Sequence, residues 1–233
     1  MIPLRDDNPT TIRPFVTVAL IAASTLVFLW QLTLGEKSLE AAIYGLGVVP
    51  ATLLGGESLP PELYRVPAEI TILTSMFLHG GWMHLIGNML YLWIFGNNVE
   101  DAMGHVRFVF FYLLTGAAAA LAQALPNAES AVPMIGASGA ISGVLGAYLL
   151  LYPRAQVLVF LPLGYFSRLI HLPAMYVLGF WFVLQIINTA LAPAAPGGGV
   201  AWGAHIGGFV AGMALIPLFK HRGVRLFAPP RHH

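Results

Sequence analysis

Cysteine is absent from all 233 residues. That excludes disulfides, thiolate metal sites and a cysteine nucleophile together. Charge is scarce: Asp, Glu, Lys and Arg make up 9% of the chain, against about 25% in a typical soluble domain. The formal net charge is +1, which gives no electrostatic footprint for a nucleic-acid partner. Aspartate occurs only at Asp6, Asp7 and Asp101, and no carboxylate falls within the long apolar runs. A channel or transporter built on a buried carboxylate or an inverted repeat therefore has no support. The polar start, with two prolines, precedes the first apolar run without a small-residue cleavage site, so no cleavable signal is expected. The terminal His232 and His233 are set aside.

What is present is apolar. Hydrophobic residues are 58% of the chain and the mean hydropathy is +0.77. The composition predicts an all-α polytopic membrane protein. Six spans can be read, at about Phe15–Leu34, Met83–Phe95, Phe108–Leu125, Ser138–Tyr152, Leu172–Leu191 and Ala201–Phe219. Their hydrophobicity continues round each helix, as a span requires.

The positive residues set the expected orientation. With the N-terminus inside, Arg5, Arg13, Arg107, Arg154, Arg168, Lys220, Arg222, Arg225 and Arg231 are cytoplasmic, and only Lys37 and Arg65 are outside. That asymmetry predicts both termini inside and an even number of spans. The loop after Leu125 and the Pro193–Gly199 loop carry no Lys or Arg, as outer loops should. The organisation read is a cytoplasmic N-terminus (1–14), a six-helix membrane domain (15–219) and a cytoplasmic tail (220–233). The long outer loop at about 35–82 mixes Glu36, Glu40, Glu62 and Glu69 with apolar residues. It is expected to be structured and to lie partly in the membrane interface.

Spans two, four and six run from outside to inside, which places His84 and Asn88, Ser138, and His205 toward one side of the bilayer. From Ser138 to Tyr152 is about 22 Å of helix, shorter than a hydrocarbon core of about 30 Å. Ser138 should therefore lie below the outer surface, with Pro133–Ala137 descending to it as non-helical backbone. Such backbone is tolerated only where protein covers it or water reaches it. Gly139 with Gly143, Gly203 with Gly207, and Gly208 with Gly212 supply small residues at four-residue spacing for close approach of spans four and six.

Polar groups inside a membrane are costly and usually functional. A serine needs a base to take its proton, and His205 is the natural base for Ser138. His84 and Asn88 are four apart on one helix face and can both donate to an oxyanion, as can the Ser138 backbone N–H. Without an embedded carboxylate, the set reads as a Ser-His dyad. A zinc protease would need His-Glu-x-x-His, and an intramembrane aspartyl protease two embedded aspartates; both are missing.

These residues resemble the rhomboid intramembrane serine proteases, of the prokaryotic six-span type. The resemblance rests on Gly136-x-Ser138-Gly139, on Ala204-His205-x-x-Gly208-x-x-x-Gly212, and on His84-x-x-x-Asn88. It implies that Ser138 is the nucleophile, His205 the base, and His84 and Asn88 oxyanion donors. It implies cleavage of single-span membrane proteins near their outer ends, without a cofactor or metal, in the plasma (inner) membrane of a prokaryote with the site facing outward. The alternative function is a non-catalytic rhomboid-like scaffold binding membrane clients; retention of both Ser138 and His205 argues against it.

The sequence departs from the family pattern twice. Some members carry Trp-Arg in the first loop where this chain has Ile70-Thr71. In some members an aromatic ring one turn after the serine stacks on the histidine, where this chain has Ser142, so another group must hold His205. Ser142 reads as packing and His79 as a loop-holding residue. His105, His171 and His221 read as interfacial, and Glu100 and Asp101 as binding Arg107 or backbone. The bulky Phe180-Trp181-Phe182 cluster marks the fifth span as the expected substrate gate.

Overall fold

The computed structural model describes residues 1–191 and 200–228. The Pro193–Gly199 loop, Arg231, His232 and His233 lie outside the described residues. In chain order the elements are β1 (Ile2–Asp6), α1 (Phe15–Leu32), α2 (Glu36–Leu46), α3 (Pro50–Leu53), α4 (Ala68–Thr74), α5 (Trp82–Tyr91), α6 (Asn97–Met103), α7 (His105–Ala124), α8 (Ser138–Leu151), β2 (Gln156–Leu161), β3 (Arg168–Pro173), α9 (Ala174–Leu191) and α10 (Trp202–Phe219). The chain is mostly helical. Four helices are long and apolar enough to cross a membrane: α1, α7 with its short extension to Asn127, α9 and α10.

Two further helical stretches complete the bundle. A π turn at Leu92–Gly96 joins α5 to α6, so the helix expected at Met83–Phe95 runs on to Met103. The other stretch is α8, 14 residues long, in which every residue from Gly139 to Tyr148 is buried. It is the central helix, packed on α7, α9 and α10.

Glycine sets how closely α8 and α10 approach. A β-carbon at Gly208 would overlap the Gly139 carbonyl oxygen, and one at Gly212 would overlap the Gly143 carbonyl oxygen. Backbone therefore lies directly on backbone, as small-residue contacts between apolar helices allow. The pair Gly203 and Gly207 was expected on the same seam but faces α7. A β-carbon at Gly203 would stand 2.6 Å from Gln123 Oε1, and one at Gly207 would overlap Ala122. Two glycine pairs on one helix serve two neighbours because Gly207 and Gly208, being consecutive, point about 100° apart round the helix axis.

Among the described residues the carboxylates at the end of α6 meet backbone, threonine hydroxyls and, for Glu100, His105 Nδ1 at 2.6 Å, and neither is paired with Arg107. Glu100 accepts from the Val16 and Thr17 N–H groups at 2.9 and 2.8 Å and from Thr17 Oγ1 at 2.7 Å. Asp101 accepts from the Thr11 and Ile12 N–H groups. Glu100 thus satisfies orphan donors in the first turn of α1 and opposes the positive end of its dipole. Arg107 donates to the Phe219 carbonyl instead.

The all-α expectation needs one correction. β1, β2 and β3 form an antiparallel sheet in that order, with Ile2 opposite Phe160, Asp6 opposite Val157, and Gln156 opposite Pro173. Val157 and Val159 point into the core. Tyr148 Oη donates to Asp6 Oδ2 at 2.6 Å, which ties β1 to the end of α8 remote from Ser138. The Phe227 and Ala228 N–H groups donate to the Leu150 and Leu151 carbonyls, so the C-terminal segment closes the same end of α8.

Two outcomes are expected. Gly208→Val should destabilise the protein by roughly 1–3 kcal/mol or more, because the overlap is with backbone and cannot relax by a rotamer change. Thermal unfolding in detergent measures this, with Gly35→Ala, which meets nothing within 4 Å, as the near-neutral control. The second concerns pH. Burial pushes the Asp6 carboxyl up from 3.8 to about 6, offset in part by the Tyr148 hydrogen bond. The folded state favours the neutral acid, so its contribution is complete below the unfolded value and is lost as pH rises through about 6. Asp6→Asn should therefore unfold at a higher temperature than the parent at pH 8, and the difference should vanish below about pH 4.

Candidate active site

The segment before α8 descends as irregular backbone, and the first loop satisfies it. Val48 and Met134 exchange backbone hydrogen bonds at 3.0 and 2.7 Å, and the Gly136 N–H donates to the Ser75 carbonyl at 2.9 Å. The loop is structured, as expected, by α2, α3 and α4. Where Trp-Arg is missing, other contacts hold it. Gln31 of α1 and His79 bond reciprocally, Gln31 accepting from the His79 N–H at 3.0 Å and donating to its carbonyl at 3.2 Å. Thr74 Oγ1 donates to the Leu46 carbonyl at 2.6 Å. A cavity of about 50 Å³ beside Ser138, lined by Ser75, Met134, Gly136 and Ala204 among others, has room for water.

Ser138 is the first residue of α8 and His205 the fourth of α10. The glycine seam brings them together: Ser138 Oγ lies 2.9 Å from His205 Nε2. Ser138 also sits at the positive end of the α8 dipole, where developing negative charge is favoured. Ser142 is buried and donates to the Ser138 carbonyl at 2.6 Å, so its hydroxyl is spent within its own helix.

His84 and Asn88 converge on Gly136, two residues before the serine. A β-carbon at Gly136 would lie 2.7 Å from His84 Nε2 and 3.8 Å from Asn88 Nδ2, and its φ of +123° suits glycine alone. The Gly80 N–H donates to His84 Nδ1 at 3.3 Å, so His84 carries its proton on Nε2, the nitrogen facing Gly136. Asn88 Nδ2 is buried and makes no hydrogen bond among the described residues. An orphaned buried donor is rare and costly. One lying beside Gly136, two residues before the serine, is a donor that an oxyanion there could satisfy.

The sequence reading missed Gln185. Its Oε1 lies 2.8 Å from His205 Nδ1, and it is buried in α9. A glutamine in an apolar helix carries no motif; the only cue was its place one turn after Trp181, on the same face. The ring that packs on His205 is also from α9: Trp181, with centroids 5.8 Å apart and planes at 35°. Trp202 meets the imidazole edge-on at 5.9 Å. The aromatic cluster is thus divided. Phe180 is exposed, Trp181 packs on His205 and Phe209, and Phe182 stacks on Phe209 at 4.3 Å. Trp181 therefore touches His205 as well as joining α9 to α10, so the cluster expected to mark a gate also packs on the site. Among the described residues no group of three His, Asp or Glu gathers as a metal site would need.

Comparison with known proteins gives the family. The Rhomboid domain family matches residues 62–222. The chain is 31% identical over 154 residues to the mitochondrial rhomboid protein 1 of Saccharomyces cerevisiae, covering 64% of this chain and 41% of that one. It is 29% identical over 166 residues to the chloroplastic rhomboid-like protein 11 of Arabidopsis thaliana, covering 67% of this chain and 55% of that one. Over 78 residues it is 44% identical to the rhomboid protease GluP of Bacillus subtilis, covering 34% of this chain and 15% of that one. The chain therefore spans about half or less of the length of these relatives.

If His84 and Asn88 donate to an oxyanion, each alanine variant should lower turnover by roughly 10²–10³ without weakening substrate binding to match. Steady-state cleavage in proteoliposomes gives kcat and KM separately; full turnover in both variants would make these residues structural.

Proposed function

The chain belongs to the rhomboid family, and from that premise we propose that it is an intramembrane serine endopeptidase working through a Ser138-His205 dyad. The carrying observation is the 2.9 Å contact between Ser138 Oγ and His205 Nε2 at the head of a glycine-packed helix pair. The family and its apolar helices make it an integral membrane protein. Six crossings follow if the α5–α6 run and α8 join the four longer helices. The meeting of β1 and residues 227–228 at the Leu151 end of α8 supports an even number of crossings between them. The excess of Arg and Lys near that end supports its being cytoplasmic. The compartment we propose is the plasma membrane of a prokaryote, with the site opening outward.

The reaction uses groups already in place. Ser138 Oγ attacks the carbonyl carbon of the scissile peptide while its proton passes to His205 Nε2. The carbonyl oxygen becomes an oxyanion facing His84 Nε2–H, Asn88 Nδ2–H and the Ser138 N–H. Collapse breaks the C–N bond, and the leaving amine takes the proton from His205. Water then repeats the sequence on the acyl ester and regenerates Ser138. At 14 residues α8 is about 21 Å long, so the chemistry lies below the membrane surface. Substrates are then membrane-spanning proteins cut near their outer ends, with water supplied from the outer side.

Ser138→Ala and His205→Ala should each abolish cleavage of a single-span reporter in proteoliposomes and remain inserted. Their losses should be nearly equal because the pair acts as a unit. A fluorophosphonate should label the parent and not Ser138→Ala. An unlabelled parent that still binds membrane proteins would instead make this a scaffold.

A further inference from the structure

The half of α9 beyond Leu178 is mostly exposed, with Gly179, Trp181, Phe182 and Asn188 half-buried. Beyond Leu178 its one buried residue is Gln185, a polar side chain in a helix otherwise rich in Phe, Val, Leu and Ile. Burying an amide is costly unless every strong partner is met. Here both ends are met, and each bond fixes the next. Gln185 Nε2 donates to the Trp181 carbonyl at 2.9 Å, which orients the amide so that Oε1 is the atom facing His205. An amide oxygen only accepts, so His205 Nδ1 must carry a proton. In a neutral imidazole that leaves Nε2 with a free lone pair, on the side of Ser138 Oγ. One carbonyl in α9 thus sets the tautomer a general base requires.

The members of this relay lie on separate helices: Ser138 on α8, His205 on α10 and Gln185 on α9. The first two are locked together by glycine contacts. By contrast, the outer half of α9 is held to α10 by Trp181 and Phe182 on Phe209 and by Gln185 on His205. We propose that Gln185 is the positioning residue for His205, and that its hydrogen bond makes the base competent only while α9 is docked on α10. The inference rests on the dyad reading above. By linkage, whatever moves α9 away releases the Nδ1–H, and whatever seats the imidazole favours the docked helix. A neutral acceptor stabilises an imidazolium less than a carboxylate would, but it places no charge in hydrocarbon. Gln185 takes no proton in the reaction.

The test reads the imidazole directly. The protein carries eight histidines; with ¹⁵N-labelled histidine in proteoliposomes, His205 is assigned by the signals lost in His205→Asn. The parent should show a protonated Nδ1 and a bare Nε2. Gln185→Leu, with Gln185→Met as a second variant, should shift His205 toward the Nε2–H form and slow fluorophosphonate labelling of Ser138 by about tenfold or more, the scale of one hydrogen bond. Gln185→Glu keeps an acceptor at the same reach and should restore the Nδ1–H form. An unchanged tautomer and labelling rate in both apolar variants overturns the proposal. The nitrogen spectra need no turnover, so they stand even if no membrane substrate is cleaved, which would count against the proposed function alone.

The docking half has its own arm. Because the chain lacks cysteine, Phe182→Cys with Phe209→Cys introduces a single pair of thiols where the α9 and α10 rings stack. Closing that pair with a short thiol cross-linker should leave Ser138 labelling as fast as in the open form, or faster. A tenfold loss on cross-linking would overturn the coupling.

Discussion

Backbone contact between α8 and α10 fixes the distance between a serine and a histidine that stand 67 residues apart. Gly208 on Gly139 and Gly212 on Gly143 leave no room for a side chain between the helices. Apolar helices in lipid gain little by merely associating, since lipid tails are as apolar as their side chains. Close packing must supply the attraction, and the same close packing brings the short Ser138 hydroxyl within reach of the imidazole. The stability of the helix pair and the geometry of the site are therefore one property of the glycine seam.

Around this seam the fold repeatedly solves the problem of polar groups away from water. The descending backbone before Ser138 borrows partners from Val48 and Ser75 of the first loop. The head of α1 borrows a carboxylate from α6. The end of α8 borrows N–H groups from residues 227 and 228. In each case the partner is distant in sequence, so satisfying the backbone also ties distant segments together. Asn88 is the contrast, with a buried donor left open beside Gly136.

Much of this was legible in the sequence because it is written locally. Ser138, His205, His84 and Asn88 were singled out by residue type, depth and spacing, and the structure brings Ser138 to His205 and gathers the other two at Gly136. The four longest spans follow from hydropathy. What failed was whatever depends on a neighbour. Gln185 is unremarkable until His205 lies against it. Gly203 and Gly207 have the spacing of the α8 seam, but rotation about the α10 axis gives them to α7. The sheet was hidden because Val157, Leu158, Val159, Phe160 and Leu161 are apolar on both faces, which erases the alternation that marks a strand. The remaining strand, β1, lies some 150 residues away in sequence, where no local pattern could announce it.

That last pairing has a consequence in time. Ile2 lies opposite Phe160, so β1 has no partner until some 150 residues more have been made. Helices close through contacts near in sequence, whereas joining such distant segments carries the loop-closure entropy of everything between them. During synthesis β1 therefore waits unpaired while the helices up to α8 are made. It can dock only after β2 has emerged. β1 is thus made before the helices and seated after them, a clasp shut over an already assembled bundle.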